Sequence, residues 1–287
     1  GYTLVYGVLR LINFAHSEVF MIGTFGSLFA TGLIGVKIED EPLTGGKMIL
    51  TLIFALVIAM LSSAIAAVLV EFVAYRRLRK RGATKLATLI SAIGVSISLV
   101  EAFRLMTDSL PREFPRIMDK TFLVSYAGAD IRNDKVIVII AAGLMMVALD
   151  QFISKTRLGK GIRAVSMDEN TATLMGVNIN RVITVTFFAG GLMAGAAAFF
   201  YILVYENTSF KVGFFLGISA FTAAVLGGIG NLRGALFGGF VLGLMETYTS
   251  AVFGTAWKAV ISFIILVLVL LIKPTGLFGE SITQARV

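Results

Sequence analysis

Eight long apolar stretches constrain this sequence more than any other feature. They cover residues 19–36, 48–75, 86–105, 136–153, 182–205, 214–229, 235–253 and 257–272. At a rise of about 1.5 Å per residue, most can cross a hydrocarbon core of roughly 30 Å, and the shortest come close. Because they lack the two-residue alternation of an outer-membrane barrel, they predict an all-α integral membrane protein. We expect a polytopic helical bundle of about eight transmembrane segments plus a short N-terminal segment.

The composition agrees with a chain that spans a membrane. Of the 287 residues, 57% are hydrophobic and 15% are charged, whereas soluble domains carry about 25% charged residues. The sequence has no Cys and a single His, which excludes disulfide frameworks, thiolate nucleophiles and the usual Cys- or His-based metal centres. We therefore predict neither a metal site nor a cofactor.

We expect residues 1–287 to form a single transmembrane domain. The first apolar run reaches only to about Phe14, which is short of the roughly 20 residues that a spanning helix needs. A further N-terminal helix upstream is therefore expected. Residues 214–253 are open to two interpretations: two spans with a tight turn, or a discontinuous helix that folds back at mid-membrane.

Glycine pairs inside the spans predict close packing between helices. The pairs are Gly191 with Gly195, Gly234 with Gly238, and Gly239 with Gly243. Small residues at this spacing let helix backbones approach each other in lipid, where no hydrophobic drive pulls helices together.

The placement of Lys and Arg predicts the orientation. The connector 76–85 holds six basic residues and no acidic one, and the connector 155–181 holds five basic residues against two acidic ones. Because short cytoplasmic loops are enriched in basic residues, both connectors and the C-terminus should lie in the cytoplasm. The net charge of +8 follows from this excess of basic residues in the cytoplasmic loops. We therefore predict that the chain lies in a lipid bilayer and does not bind nucleic acid.

The connector 156–177 is longer than a simple turn requires, since packed helices are usually joined by about two to eight residues. We predict a short amphipathic helix over 162–175. Its exposed polar residues are Arg163, Asp168, Glu169 and Asn170, and its apolar side consists of Val165, Ala172, Leu174 and Met175. Two roles remain open at this point: docking into a groove of a cytoplasmic partner, or lying on lipid headgroups.

Polar residues also occur within the apolar stretches. Near the N-terminus these are Arg10, Asn13, His16 and Glu18. A buried ionisable group in a membrane costs at least ~2.5 kcal/mol unless it is paired or hydrated. The group therefore predicts either a structural polar cluster at the cytoplasmic end, with an Arg10–Glu18 ion pair, or a contact with substrate. Glu246 is more isolated, and it either lies near the outer interface or lines a pathway.

Nucleotide-binding and catalytic motifs are absent from the sequence. The two Gly-Lys steps, Gly46-Lys47 and Gly159-Lys160, are not followed by Ser or Thr, so there is no phosphate-binding loop of the P-loop type. The sequence also has no HExxH motif and no GxSxG nucleophile elbow. We predict that the chain is not an enzyme and does not bind ATP in this way.

Three long sequence blocks stand out: GYTLVYGVLRLINFAHSEVFMIGTF at 1–25, TRLGKGIRAVSMDENTATLMGVNINRV at 156–182 and FTAAVLGGIGNLRGALFGGFVLGLMET at 221–247. They resemble the LivH-type permeases, the membrane subunits of high-affinity branched-chain amino acid ABC transporters. The blocks occur in the family's order. Ser17 departs from the pattern, because Gly commonly follows the His in the family.

The resemblance implies a multi-pass permease of a bacterial or archaeal cytoplasmic (inner) membrane, with three kinds of protein partner. These are a homologous second permease, two cytoplasmic ATP-binding subunits, and a periplasmic or extracellular solute-binding protein. The implied cargo is a branched-chain amino acid. A permease for urea, short amides or another small polar solute, and an ion-coupled secondary transporter, remain the alternatives.

The resemblance further implies that 156–177 is the segment that couples ATPase closure to the pore. The residues carried over by this motif are Arg157, Gly159, Gly161, Arg163, Asp168, Glu169, Asn170, Leu174, Met175 and Gly176.

Overall fold

The computed structural model describes residues 1–9, 13–126 and 129–279, and most of them are helical. The helices are α1 (Tyr2–Leu9), α2 (His16–Ile34), α3 (Gly45–Val70), α4 (Arg77–Lys80), α5 (Lys85–Met106), α6 (Asn133–Lys155), α7 (Arg157–Met167), α8 (Glu169–Leu174), α9 (Ile179–Tyr205), α10 (Val212–Gly227), α11 (Leu232–Phe253) and α12 (Lys258–Ile272). A π-helical stretch, Glu71–Arg76, joins α3 to α4, and a 3-10 turn, Thr255–Trp257, precedes α12.

Seven helical stretches among the described residues are long and apolar enough to cross a membrane. They are His16–Ile34, Gly45–Lys80, Leu86–Met106, Asn133–Lys155, Ile179–Tyr205, Leu232–Phe253 and Thr255–Ile272. The shorter apolar helix α10 is an eighth segment, and α1 is the short N-terminal one. The predicted all-α polytopic bundle is therefore confirmed.

Small residues bring α2, α3 and α9 into backbone contact at the centre of the bundle. A Cβ added at Gly191 would lie 2.7 Å from the Ala64 Cα, and one added at Gly195 would lie 2.6 Å from the Met60 Cα. The Ser63 hydroxyl of α3 donates a hydrogen bond of 2.9 Å to the Val19 carbonyl of α2. The predicted close packing at the Gly191–Gly195 pair is therefore present.

Residues 214–253 form two antiparallel helices, α10 with 16 residues and α11 with 22, an arrangement common to both interpretations given above. A Cβ added at Gly227 of α10 would lie 2.6 Å from the Ala235 backbone nitrogen of α11. One added at Gly238 would be similarly close to the Gly227 backbone. The Gly234–Gly238 pair thus has the packing role predicted for it. The third predicted pair, Gly239 with Gly243, does not pack in this way within the chain, because a Cβ at Gly243 would meet no atom within 4 Å.

A non-helical segment connects α9 to α10, with Thr208 and Phe210 buried and Asn207 and Lys211 exposed. It contains the short strand β4 (Asn207–Thr208), and the Thr208 and Thr24 hydroxyls are hydrogen-bonded at 2.6 Å. Phe210 then packs against Met21. The segment therefore runs along α2 toward its N-terminal end, and α10 begins there.

The loop between α5 and α6 carries the other strands, which the sequence reading did not predict. These are β1 (Arg112–Glu113), β2 (Phe122–Tyr126) and β3 (Ala129–Arg132). β1 pairs antiparallel with β4, and β2 with β3. The Leu43 amide donates to the Ile117 carbonyl at 3.0 Å, so the loops 37–47 and 107–132 meet at one end of the bundle.

Candidate functional site

A cavity of about 840 Å³ lies between α1, α2, α6, α9, α10 and α11. Its lining is mostly aliphatic and aromatic, and it includes Met145 and Met146 of α6 and Met193 of α9. Ligand sites typically measure about 300–1,000 Å³ and combine an apolar wall with a few polar groups. The cavity therefore has the size and character of a small-molecule site.

The described N-terminal polar residues are buried, and His16 is the one of them that reaches this cavity. His16 lines it, and its ring packs edge-on against Tyr2 at a centroid distance of 4.9 Å. Asn13 accepts a hydrogen bond of 2.9 Å from the Tyr75 hydroxyl. His16 also neighbours Gly190, close to the middle of α9, which is deeper in the bundle than the cytoplasmic end we expected. Arg10 lies outside the described residues, and with it the predicted Arg10–Glu18 pair.

Glu18 is fully buried and is held by hydroxyl groups. Its Oε1 accepts hydrogen bonds from Ser17 at 3.1 Å and Ser96 at 3.2 Å, while Oε2 has no partner among the described residues. A Cβ at Gly213 would lie 2.8 Å from this Oε2. Ser17, the departure from the family pattern, thus supplies one of the donors. Glycine at 213 leaves room for the carboxylate at the start of α10.

Glu246 of α11 lines the cavity, and its role in a pathway stays a prediction. The Ser219 hydroxyl of α10 donates to its Oε1 at 2.8 Å. The Ser262 hydroxyl of α12 donates to the same oxygen. Three helices thus converge on one carboxylate in an otherwise apolar wall.

The segment 156–177 forms two helices, α7 and α8, where we predicted one helix over 162–175. The break is at Asp168, whose backbone is extended (φ −152°). Its carboxylate accepts hydrogen bonds from the backbone N–H of Asn170 at 2.9 Å and from the Thr171 hydroxyl at 2.6 Å. Asp168 is therefore the N-cap of α8. A residue that caps the following helix ends the preceding one, and the apolar pattern alone did not reveal it.

Helix α7 is fixed to the neighbouring helices by its glycines and by Arg163. A Cβ at Gly159 would lie 2.5 Å from the Phe152 carbonyl oxygen of α6, and one at Gly161 would lie 3.3 Å from Val182 of α9. The Arg163 guanidinium donates to the Ser154 carbonyl at 3.1 Å. The segment is therefore in direct contact with two transmembrane helices.

The predicted apolar side of this segment is divided between the core and the surface. Val165 and Ala172 are buried, whereas Leu174 is 87% exposed, Met175 is 80% exposed and Met167 is 81% exposed. We call Met167, Leu174 and Met175 the apolar tip. The other candidate coupling residues that are exposed are Arg157, Arg163, Asp168, Glu169, Asn170 and Gly176. The tip is surrounded by polar groups, as protein-binding patches commonly are.

An ionic cluster at the same end was not singled out from the sequence. Glu71 is fully buried, and it accepts hydrogen bonds from Arg76 at 2.8 and 3.1 Å and from Thr184 of α9 at 3.3 Å. Arg79 donates to Asn180 at 2.6 Å. An acidic residue inside an apolar run, followed by Arg five and eight residues later, is the signal that could have identified it. The cluster joins α3 to the start of α9, next to α8.

Comparison with known proteins places these features in a family. A family model described as "Branched-chain amino acid transport system / permease component" matches residues 1–270. The chain belongs to this family. A curated relative named high-affinity branched-chain amino acid transport system permease protein BraD, from Pseudomonas aeruginosa, is 39% identical over 284 residues, which is 98% of this chain and 90% of the relative.

Two further relatives extend the comparison across the permease family. LivH of Escherichia coli K12 is 38% identical over 284 residues, covering 98% of this chain and 89% of the relative. A probable LivH of Methanocaldococcus jannaschii is 25% identical over 289 residues, covering 97% and 86%. No solved structure matches the chain. The resemblance to LivH-type permeases is confirmed, and the chain is a multi-pass transport component rather than an enzyme.

Proposed function

We propose that this chain is the membrane-spanning permease subunit of an ATP-binding cassette importer for leucine, isoleucine and valine. The observation that carries the proposal is the 38–39% identity, over 98% of the chain, to permeases named for branched-chain amino acid transport. The cavity between α1, α2, α6, α9, α10 and α11 supports it, because an apolar wall suits aliphatic side chains. Residues 1–287 constitute one permease domain.

In this proposal the cargo arrives from an external solute-binding protein, and separate ATPase subunits supply the energy. A homologous second permease completes the pathway. The basic connectors 76–85 and 155–181 face the cytoplasm, and so does the C-terminus. The contacts Arg79–Asn180 and Arg76–Thr184, both 2.6 Å, support a common side for the two connectors.

The segment 156–177 is the coupling element of the proposed importer. Its apolar tip docks into a groove of an ATPase subunit, since an amphipathic segment binds by inserting apolar side chains. The glycine contacts of α7 with α6 and α9 support the transmission of ATPase closure to the transmembrane helices. The interfacial alternative, in which the tip inserts into lipid, is an outcome of the test.

The test compares Met175→Glu with Met106→Glu in the transporter assembled with its partners. Met175 is 80% exposed in the coupling segment, and Met106 is 73% exposed at the C-terminal end of α5, which is the end away from the connector 76–85. We expect Met175→Glu to reduce co-purification of the ATPase subunits about tenfold or more, because burying one unpaired charge in the interface costs at least about 1.4 kcal/mol of binding free energy. ATP-driven leucine uptake should be lost with it. Met106→Glu should retain its ATPase subunits.

Two results would contradict the proposal. Normal ATPase association and uptake by Met175→Glu would remove the coupling role from the tip. Leucine uptake by this chain alone in liposomes, driven by a Na⁺ or H⁺ gradient, would favour a secondary transporter.

A further inference from the structure

The negative charge of Glu246 is only partly stabilised by the residues around it. It lies in α11 about two turns from the end of the helix, within a stretch that is long and apolar enough to span the membrane. A carboxylate in such a position is costly unless it is paired, hydrated or used. Such residues are therefore functional candidates by default.

The described surroundings of Glu246 stabilise its charge but do not neutralise it. Its Oε1 accepts from Ser219 and Ser262. Within residues 1–9, 13–126 and 129–279, no ion pair includes Glu246, and both of its side-chain hydrogen bonds go to Oε1. Two hydroxyl donors on one oxygen orient the carboxylate and leave the other oxygen able to accept from a ligand.

The lining of the cavity around Glu246 indicates which kind of ligand could bring a cationic group to this carboxylate. Lys135, in the first turn of α6, is the basic side chain that the described lining contributes besides His16. The rest of the wall is dominated by aliphatic, aromatic and methionine side chains, including Met145, Met146 and Leu149. A metal ion would find a single carboxylate here, whereas a small molecule with one ammonium group and an aliphatic body would satisfy both the charge and the wall.

We propose that Glu246 binds the α-ammonium group of the amino acid as it passes through the cavity. Ser219 and Ser262 are positioning residues that hold the carboxylate by its Oε1, and the aliphatic part of the cargo lies against the methionines. The proposal rests on the function proposed above and deepens it, because it gives the permease a contact of its own with the cargo. A charge-assisted hydrogen bond of this kind is among the stronger ones in proteins.

The absence of Cys from the sequence allows a clean test by site-directed alkylation. Gly243 lines the cavity three residues before Glu246, and a Cβ added there would meet no atom within 4 Å. The variant Gly243→Cys, in the assembled transporter, is treated with a neutral maleimide at increasing concentrations of leucine. The measurement is the leucine concentration that halves the alkylation rate.

Two comparisons isolate the ammonium contact. We expect 4-methyl-2-oxopentanoate, which has a keto oxygen in place of the ammonium group, to require a concentration about tenfold higher than leucine, as for the loss of one charge-assisted hydrogen bond. Adding Glu246→Gln should raise the leucine concentration by about the same factor, and Glu246→Asp should raise it less. Glu101→Gln is the matched control, because Glu101 is an exposed acid paired with Arg104 on α5, and it should leave the value unchanged.

Equal protection by leucine and the keto acid, or no protection by leucine in a transporter that takes up leucine normally, would overturn the proposal. The ligand comparison uses intact Glu246, so it holds even if Glu246→Gln fails to fold. Failure of the proposed function has a different signature, namely no ATP-driven leucine uptake by the assembled transporter with its native sequence.

Discussion

The two sides of the helical bundle are held together in different ways. On one side, α2, α3 and α9 meet through glycine, alanine and serine, and 61% of the spanning stretch of α9 is buried within the chain. On the other side, only 6% of the corresponding stretch of α6 is buried, and Ile139 and Leu144 are exposed. Because backbone contact is a main source of cohesion in lipid, the first side is a core, and the second presents faces suited to lipid or another subunit.

The cavity lies at the boundary between these two sides. Ser17, Phe20 and Ala194 line it from the core, and Val138 and Gly239 line it from the loosely packed side. A pathway needs one wall that holds its shape and one that can move, since ligand-dependent changes occur where local stability is low. Substitutions on each side test this difference in cohesion.

The largest effect is expected from Glu71, at the end of the core that carries the basic connector 76–85. Glu71→Ala would leave Arg76 and Arg79 without the carboxylate they share, and removing one partner of a buried pair costs about 3–5 kcal/mol. Arg76 is 24% exposed, so we expect the lower end, about 3 kcal/mol, measured as a loss of thermal stability in detergent. Glu101→Ala, which removes an exposed pair from α5, is the control and should melt as the unmodified protein does.

A smaller effect is expected from the helix contact itself. Gly195→Ala places a methyl group 2.6 Å from the Met60 Cα, and overpacking of this kind costs about 1–3 kcal/mol. Gly243→Ala makes the same chemical change where nothing lies within 4 Å. We expect the first variant to lower the melting temperature and the second to leave it unchanged or raise it slightly, because alanine is the better helix former. Equal melting temperatures would show that α3 and α9 are not the rigid side.

The sequence predicted the features that depend on solvent preference. Long apolar stretches and basic connectors are imposed by the bilayer, so the bundle could be predicted from residue type alone. The Gly191–Gly195 and Gly234–Gly238 contacts followed because their spacing repeats on one helix face. The length and pattern of 156–177 indicated an amphipathic segment, and the family resemblance added its coupling role, which stays a proposal.

The sequence could not predict what depends on a distant partner. The break at Asp168 arises because a carboxylate caps α8, which competes with continuing α7. The course of residues 206–211 depends on Thr24 and Met21 of α2, nearly 200 residues away in the chain. The place of Glu246 required knowing that Ser219 and Ser262 lie beside it. Periodicity within one helix carries none of this information.

The smallest effect concerns the loop that extends the core at its other end. Glu206 follows α9, and its carboxylate pairs with Lys120 at 2.6 Å and Arg116 at 3.2 Å. Burial by itself would raise the pKa of Glu206, but the hydrogen bonds and charges of Lys120 and Arg116 outweigh it and hold the pKa below its usual value of 4.5. The stabilisation is therefore fully present above about pH 4.5, and it is lost as the pH falls through the lowered pKa.

We expect the protection of the loop 107–121 against hydrogen exchange, taken relative to the intrinsic exchange rate at each pH, to fall below that pH. Glu206 is 23% exposed and Arg116 is 54% exposed, so the effect should be about 1 kcal/mol or less, as for other pairs near the surface. Glu206→Gln should be less protected at neutral pH, and its protection should not change with pH. If exchange in this loop is the same in both proteins at every pH, the core ends at Tyr205 and the loop is held by its backbone pairing with β4 alone.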